Sequence, residues 1–265
     1  MHNFNYARAN DVADAATKLK SSDDGKLLAG GMTLLPTLKN RLAQPSDLID
    51  LANISAMKGI AVEGREVIIK GMTTHAAVAA SAEVRKAIPA LAALAELIGD
   101  PAVRQRGTIG GSVANSDPAA DYPAAVLALD AVLETNERKI AADDYFQGLF
   151  ETALGDGEIL TAVRFKIPDA AHYLKFRHPA SRYAVVGCFI ARFGAKVRVA
   201  ITGAGPCAFR VPEMEAALEK NFAPASVANI KVPASDLLGD FHCSAEYRAH
   251  LITVYARRCV EAMTS

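Results

Sequence analysis

Two glycine pairs constrain this chain more than any other feature: Gly30-Gly31 in "LAGGMTLL" and Gly110-Gly111 in "GTIGGSVAN". Each has an apolar approach and a small hydroxyl within two residues, Thr33 or Ser112. Glycine reaches positive φ without strain and leaves no side chain between the backbone and a ligand. Successive N–H groups in such a turn make an anion-binding concavity, and a following helix adds partial positive charge. One pair alone reads first as a tight turn. Two pairs in matched context also fit the two halves of a phosphate clasp. Neither pair fits G-x-G-x-x-G, and no G-x-x-x-x-G-K-[ST] loop occurs, so the Rossmann and P-loop readings have no support.

The chain's 265 residues suit one large domain or two modest ones. Lys+Arg (29) balances Asp+Glu (29) with no charge block, which argues against a nucleic-acid partner. Cys188, Cys207, Cys243 and Cys259 are scattered, with no C-x-x-C pair. No zinc or iron–sulfur site is expected within the chain, and reduced thiols are. The N-terminal "MHNFNYARAN" has no apolar core segment, so no signal peptide is expected. The longest apolar stretch, "AIPALAALAELIG", is interrupted by Pro89 and Glu96 and is too short for a membrane span. A cytoplasmic location is the expectation.

Asn10 or Asp11 is placed to cap a helix over about 11–20. A strand at "KLLAGG", a helix at "TLLPTLKNRL" with Thr33 as its cap, and a strand at "DLIDL" complete a small α/β unit. "GIAVEGREVIIKGM" predicts a hairpin turning at Glu63-Gly64-Arg65, and two helical stretches follow, broken at Pro89. Beyond Pro168-Asp169 the pattern gives three strands, the last two a hairpin at Gly194, and helices near 212–220 and 244–263. In "SDPAAD", Asp117 reads as turn chemistry before Pro118. Asp121 reads either as the start of a helix or as an acceptor for ribose hydroxyls, by analogy with dinucleotide folds.

At these residues the chain resembles a known family. "LAGGMTLLPTLKNRLAQPSDLIDL", "GMTTHAAV" and "GDPAVRQRGTIGGSVANSDPAADYPA" are similar to the FAD-binding medium subunits of molybdenum hydroxylases, such as carbon monoxide and xanthine dehydrogenases. The resemblance covers nearly the whole length. It implies an α+β fold of the vanillyl-alcohol-oxidase (PCMH) type. Residues 1–170 would bind FAD, in subdomains of about 1–55 and 56–170. Residues 171–265 would form a small α+β domain with a three-stranded antiparallel sheet.

Carried over position by position, the resemblance makes Ala29, Gly30, Gly31, Met32 and Thr33, with Leu34, the first FAD loop. Thr108, Ile109, Gly110, Gly111 and Ser112, with Asn115, make the second. Asp121 takes the adenosine ribose. Ile98 and Leu160 lie against the flavin ring, with Arg177 and Tyr183 near it. Ser112 departs from the Asn common in the family, and Met32 from a polar residue or His. The family also implies partners: a small subunit with two [2Fe–2S] clusters and a large molybdopterin subunit, arranged as a dimer of heterotrimers. Electrons would leave this FAD for NAD, a quinone or oxygen. No residue of this chain would act as an acid, base or nucleophile on the substrate, and no triad or H-E-x-x-H pattern appears. A self-contained FAD oxidoreductase, or an FAD-binding protein without partners, is the competing reading.

Overall fold

The Asp11 side chain accepts a hydrogen bond from the Asp14 N–H (2.8 Å) and opens helix α1 (Val12–Lys20), which turns Ala15 and Ala16 inward. In this computed structural model, which describes all 265 residues, α1 packs on a three-stranded parallel sheet. Its strands are β1 (Asn5–Arg8), β2 (Gly25–Leu28) and β3 (Asp47–Asp50), in the order β1-β3-β2, with α2 (Leu34–Lys39) between β2 and β3. Strand β1 has no counterpart in the sequence reading. "NYAR" is polar and mostly exposed, and it is extended only because β3 supplies a ladder beside it.

The second unit is built on a five-stranded antiparallel sheet, ordered β4-β5-β10-β6-β7. The hairpin of β4 (Ile60–Glu63) and β5 (Glu66–Lys70) turns at Gly64, whose φ of +59° suits glycine. Six helices follow: α3 (His75–Ala80), α4 (Ala82–Ala87), α5 (Pro89–Glu96), α6 (Pro101–Arg106), α7 (Ile109–Asn115) and α8 (Tyr122–Ala128). The expected single break at Pro89 is joined by another at Ser81, which leaves helical backbone (ψ 124°) and accepts from the Val84 N–H (3.2 Å). Then come β6 (Val132–Thr135), β7 (Lys139–Ala141), a ribbon of β8 (Phe146–Gly148) and β9 (Glu151–Thr152), and β10 (Leu160–Lys166).

The third sheet is antiparallel, in the order β11 (Ala170–Arg177), β12 (Ala184–Phe193), β13 (Lys196–Thr202), β14 (Phe209–Arg210). The short β14 makes it four-stranded, where three strands were expected: two residues are too few to show a period. Helices α9 (Pro212–Lys220), α10 (Pro224–Val227) and α11 (Ala245–Thr264) complete the chain. Strand β12 is buried on both faces. Val186, Cys188 and Ile190 belong to a core with α9 and α11, whereas Phe189 and Ala191 join the main core of the second unit. That double burial explains the unbroken apolar run "AVVGCFIA". No helix is long and apolar enough to cross a membrane.

Candidate functional site

The first glycine loop leaves β2 at Leu28 and enters α2. Gly31 has φ +72°, and a β-carbon on Gly30 would stand 2.1 Å from the Arg106 carbonyl oxygen and 2.8 Å from Gly107 Cα. The two glycine loops therefore touch through backbone, and only glycine fits at Gly30. The backbone N–H groups of Gly30, Gly31, Met32, Thr33 and Leu34 donate to no acceptor in the protein. Five successive unpaired donors on residues of one cavity wall are chemically suited to an anion. Thr33 occupies the helix cap position, but its side chain makes no cap bond.

The second loop differs from its sequence reading. Gly110 and Gly111 form the first turn of α7 rather than a tight turn, and their N–H groups are already used. Ile109 N–H donates to the Thr73 carbonyl (3.0 Å) and Gly110 N–H to that of Gly71 (2.8 Å). Gly111 N–H donates to Thr108 Oγ1 (3.1 Å). Glycine is needed here for close approach: a β-carbon on Gly110 would meet the Gly71 carbonyl oxygen at 2.6 Å. What this loop offers a ligand is a flat surface at Gly111 and the hydroxyls of Thr108 and Ser112. The Thr108 hydroxyl accepts from Gly111 and keeps its own proton to donate.

Between the loops lies a cavity of about 730 Å³, within the range of sites for organic ligands. Ala29 to Leu34, Ile98, Thr108, Gly110, Gly111, Ser112, Asn115, Asp121, Leu160 and Tyr183 all line it. Ile109 and Arg177 do not. Ile109 is buried beneath α7. Arg177 is exposed, at the point where the β11–β12 register slips between Phe176 and Arg177. The arginine at the cavity is Arg182, held at a left-handed φ of +65° with its guanidinium near the Gly99 carbonyl. No local pattern in "HPASRY" marks it.

Asp121 occupies the cap position of α8 but makes no cap bond. Its buried carboxylate faces the Tyr173 hydroxyl, which donates to it, and Lys175 Nζ at 2.9–3.0 Å. Burial pushes the Asp121 carboxyl up, against the pull of the Lys175 ammonium. The Lys175 side chain is therefore buried, although its residue type usually stands on a strand's solvent face. Asp117 sits in a turn, its Oδ1 accepting from the Ala119 N–H (2.9 Å). His75, also on the cavity wall, is buried in the first turn of α3 with Nδ1 unpartnered. Burial, with a smaller effect from Arg104, holds its imidazole down to about 4, so the ring is neutral at neutral pH.

The floor at Ile159 and Leu160 is anchored by the preceding Glu158. Its carboxylate accepts from Arg138 Nε (3.0 Å), Thr135 Oγ1 (2.7 Å) and the Gly155 N–H (2.8 Å), which holds its pKa down at about 2. A depressed carboxyl stabilises the fold above its unfolded value of about 4.3, and this is lost as pH falls toward 2. Glu158→Gln is expected to lower the unfolding free energy by about 1–2 kcal/mol at neutral pH, since Arg138 is half exposed and screened. Urea midpoints should also fall less steeply below pH about 5 in the variant than in the wild type. Equal slopes would refute the anchor.

These features define a cofactor-binding module for an elongated ligand with an anionic middle. Unpaired N–H donors and two hydroxyls suit a diphosphate, apolar residues at Ile98, Ile159 and Leu160 suit a ring system, and an acidic group stands at the wall. FAD has these parts, and the donor set fits it. Residues 2–169 match the family described as FAD binding domain in molybdopterin dehydrogenase. The chain is 37% identical to the carbon monoxide dehydrogenase medium chain of Afipia carboxidovorans, over 97% of this chain and 96% of that one. It is 35% identical to the nicotine 6-hydroxylase medium subunit of Paenarthrobacter nicotinovorans, over 96% and 95%. Among solved structures, it superposes on a chain of carbon monoxide dehydrogenase from Hydrogenophaga pseudoflava with TM-score 0.89 and 33% identity, covering 99% and 97%. The chain belongs to this family of FAD-binding medium subunits. It is an FAD-containing oxidoreductase subunit with an α+β fold of the expected type.

Proposed function

We propose that this chain carries electrons within a heterotrimeric molybdenum hydroxylase of the cytoplasm. A small subunit with two [2Fe–2S] clusters delivers them, and a large molybdopterin subunit oxidises the substrate. Two heterotrimers pair, and an external acceptor (NAD, a quinone or oxygen) reoxidises the flavin. Residues 1–170 (about 1–55 and 56–170) carry FAD, and 171–265 form the C-terminal unit. The supporting observation is the end-to-end match with medium subunits, combined with a cavity lined by the two glycine loops.

In this reading the N–H groups of Gly30 to Leu34 bind the diphosphate, with Thr108 and Ser112 donating from the opposite side. Asp121 accepts from the adenosine ribose. Ile98 and Leu160 exclude water from the flavin, and Tyr183 covers it from the β11–β12 loop. When bound, FAD supplies the capacity to take electrons singly and release them in pairs. Arg182, rather than Arg177, supplies positive charge at the cavity.

The native protein, isolated from its own host by a tag on this chain, is expected to bring down two further polypeptides with molybdenum and iron. A lone flavoprotein that turns over a substrate unaided would refute this and favour the self-contained oxidoreductase. Anaerobic reduction followed by NAD, a quinone or oxygen identifies the acceptor by its rate of flavin reoxidation.

A further inference from the structure

Lys175 does not itself line the cavity, but its side chain is only 2% exposed and pairs with Asp121, which does. Its ammonium donates to Asp121 Oδ2 and to the Leu97 carbonyl, both at 3.0 Å. Leu97 ends α5 and leads into the cavity wall at Ile98–Asp100, Asp121 opens α8, and Lys175 itself belongs to β11. One ammonium thus joins three segments that are distant in sequence. A buried ion pair is weak evidence for stability, because desolvation offsets much of the attraction. This one has a feature that stability does not require. The Lys175 ammonium spans both carboxylate oxygens (2.9 Å to Oδ1, 3.0 Å to Oδ2); Oδ1 also takes the Tyr173 hydroxyl, whereas Oδ2 takes only Lys175 and retains acceptor capacity on a residue that lines the cavity.

We propose that Lys175 is a positioning residue for FAD, holding Asp121 ionised and aimed at the ribose and fixing the Leu97–Asp100 wall from the C-terminal sheet. The proposal rests on the FAD reading above. It makes cofactor binding depend on β11, which lies outside the residues matched as the FAD-binding domain. Lys175 is the one cation acting on Asp121. The other groups facing it are Tyr173 on β11, Tyr122 beside it on α8, and Tyr183 on the β11–β12 loop, with Asp117 near Tyr183. None of these supplies positive charge, so without Lys175 the buried carboxyl takes up a proton at higher pH.

The test measures FAD Kd for the full chain from pH about 5.5 to 9, by flavin fluorescence. The wild type is expected to bind with little pH dependence near neutrality. Lys175→Met should bind about 10–100-fold more weakly near pH 6, the span of one hydrogen bond to a charged group, and recover partly toward pH 9. Asp121→Asn should bind weakly at every pH. The double variant, which removes both charges, should bind no worse than Asp121→Asn. Wild-type affinity and pH profile in Lys175→Met would overturn the proposal, as would additive losses in the double variant. If Lys175→Met does not fold, Lys175→Arg keeps the charge and must keep the flat profile; a pH-dependent Kd there overturns it equally. A wild-type chain that takes up no FAD would instead sink the underlying reading.

Discussion

Gly30→Ala is expected to weaken FAD binding on the order of 100-fold, through the loss of one or two hydrogen bonds to a charged group at about 1.5–3 kcal/mol each. The added methyl would sit 2.1 Å from the Arg106 carbonyl oxygen, 2.7 Å from its carbon and 2.8 Å from Gly107 Cα. All three are backbone atoms, so no side chain can rotate away, and the loops must part. Parting them moves the N–H groups of residues 30–34 relative to Thr108 and Ser112. Such overpacking also destabilises a fold by about 1–3 kcal/mol. Gly64→Ala is the matched control. Its φ is +59° with nothing within 4 Å, so it strains a turn without touching the clasp. Flavin absorbance retained after gel filtration separates the two variants. Equal retention would show that loop contact does not govern binding.

The second large effect lies far from the loops. Arg248→Met is expected to lower the unfolding free energy by about 3 kcal/mol, because it leaves buried carbonyls without their charged donor. The Arg248 guanidinium, on α11, donates to the Val185 and Gly203 carbonyls (2.7 and 2.5 Å) and to Asp240. Gly203, at φ +84°, donates in turn to the Pro118 carbonyl (2.7 Å), and the Thr202 hydroxyl donates to those of Pro118 and Ala120. The disturbance therefore reaches the segment carrying Asp117 and Asp121, and flavin retention should fall with stability. Arg248→Lys keeps the charge but is not expected to restore stability, since an ammonium cannot reproduce the planar fork. Guanidinium melts of the two variants and the wild type decide the matter; unchanged midpoints would refute it.

The sequence displayed most of what is local. The Asp11 cap, the Gly64 hairpin, the helical runs and the two glycine loops each depend on residues within a few positions of one another. What stayed hidden depends on distant partners. Strand β1 exists because β3 lies beside it. Lys175 is buried because its carboxylate stands 54 residues away in sequence. Arg177 stands outside the cavity, where the strand register slips, and Arg182 lines it at a left-handed φ; no local composition signals either. The second loop's resemblance to the first was partly misleading. Similar glycine pairs serve as unpaired donors in one place and as a close-packed helix turn in the other, and only the positions of Gly71 and Thr73 decide which.

The three-stranded parallel sheet and its helix share a core of nine buried residues, and Met57, Met72 and Ile159 among them come from the chain beyond residue 55. A unit that borrows part of its interior from a neighbour has less of its own to resist local opening, and the first glycine loop is attached to it. Opening there unseats one half of the clasp while the larger cores stay intact. A dinucleotide bound as proposed, touching both halves, would act as a stitch across that seam, adding protection that grows with free cofactor concentration. In that binding mode the cofactor would be part of what keeps the N-terminal fifth of the chain folded.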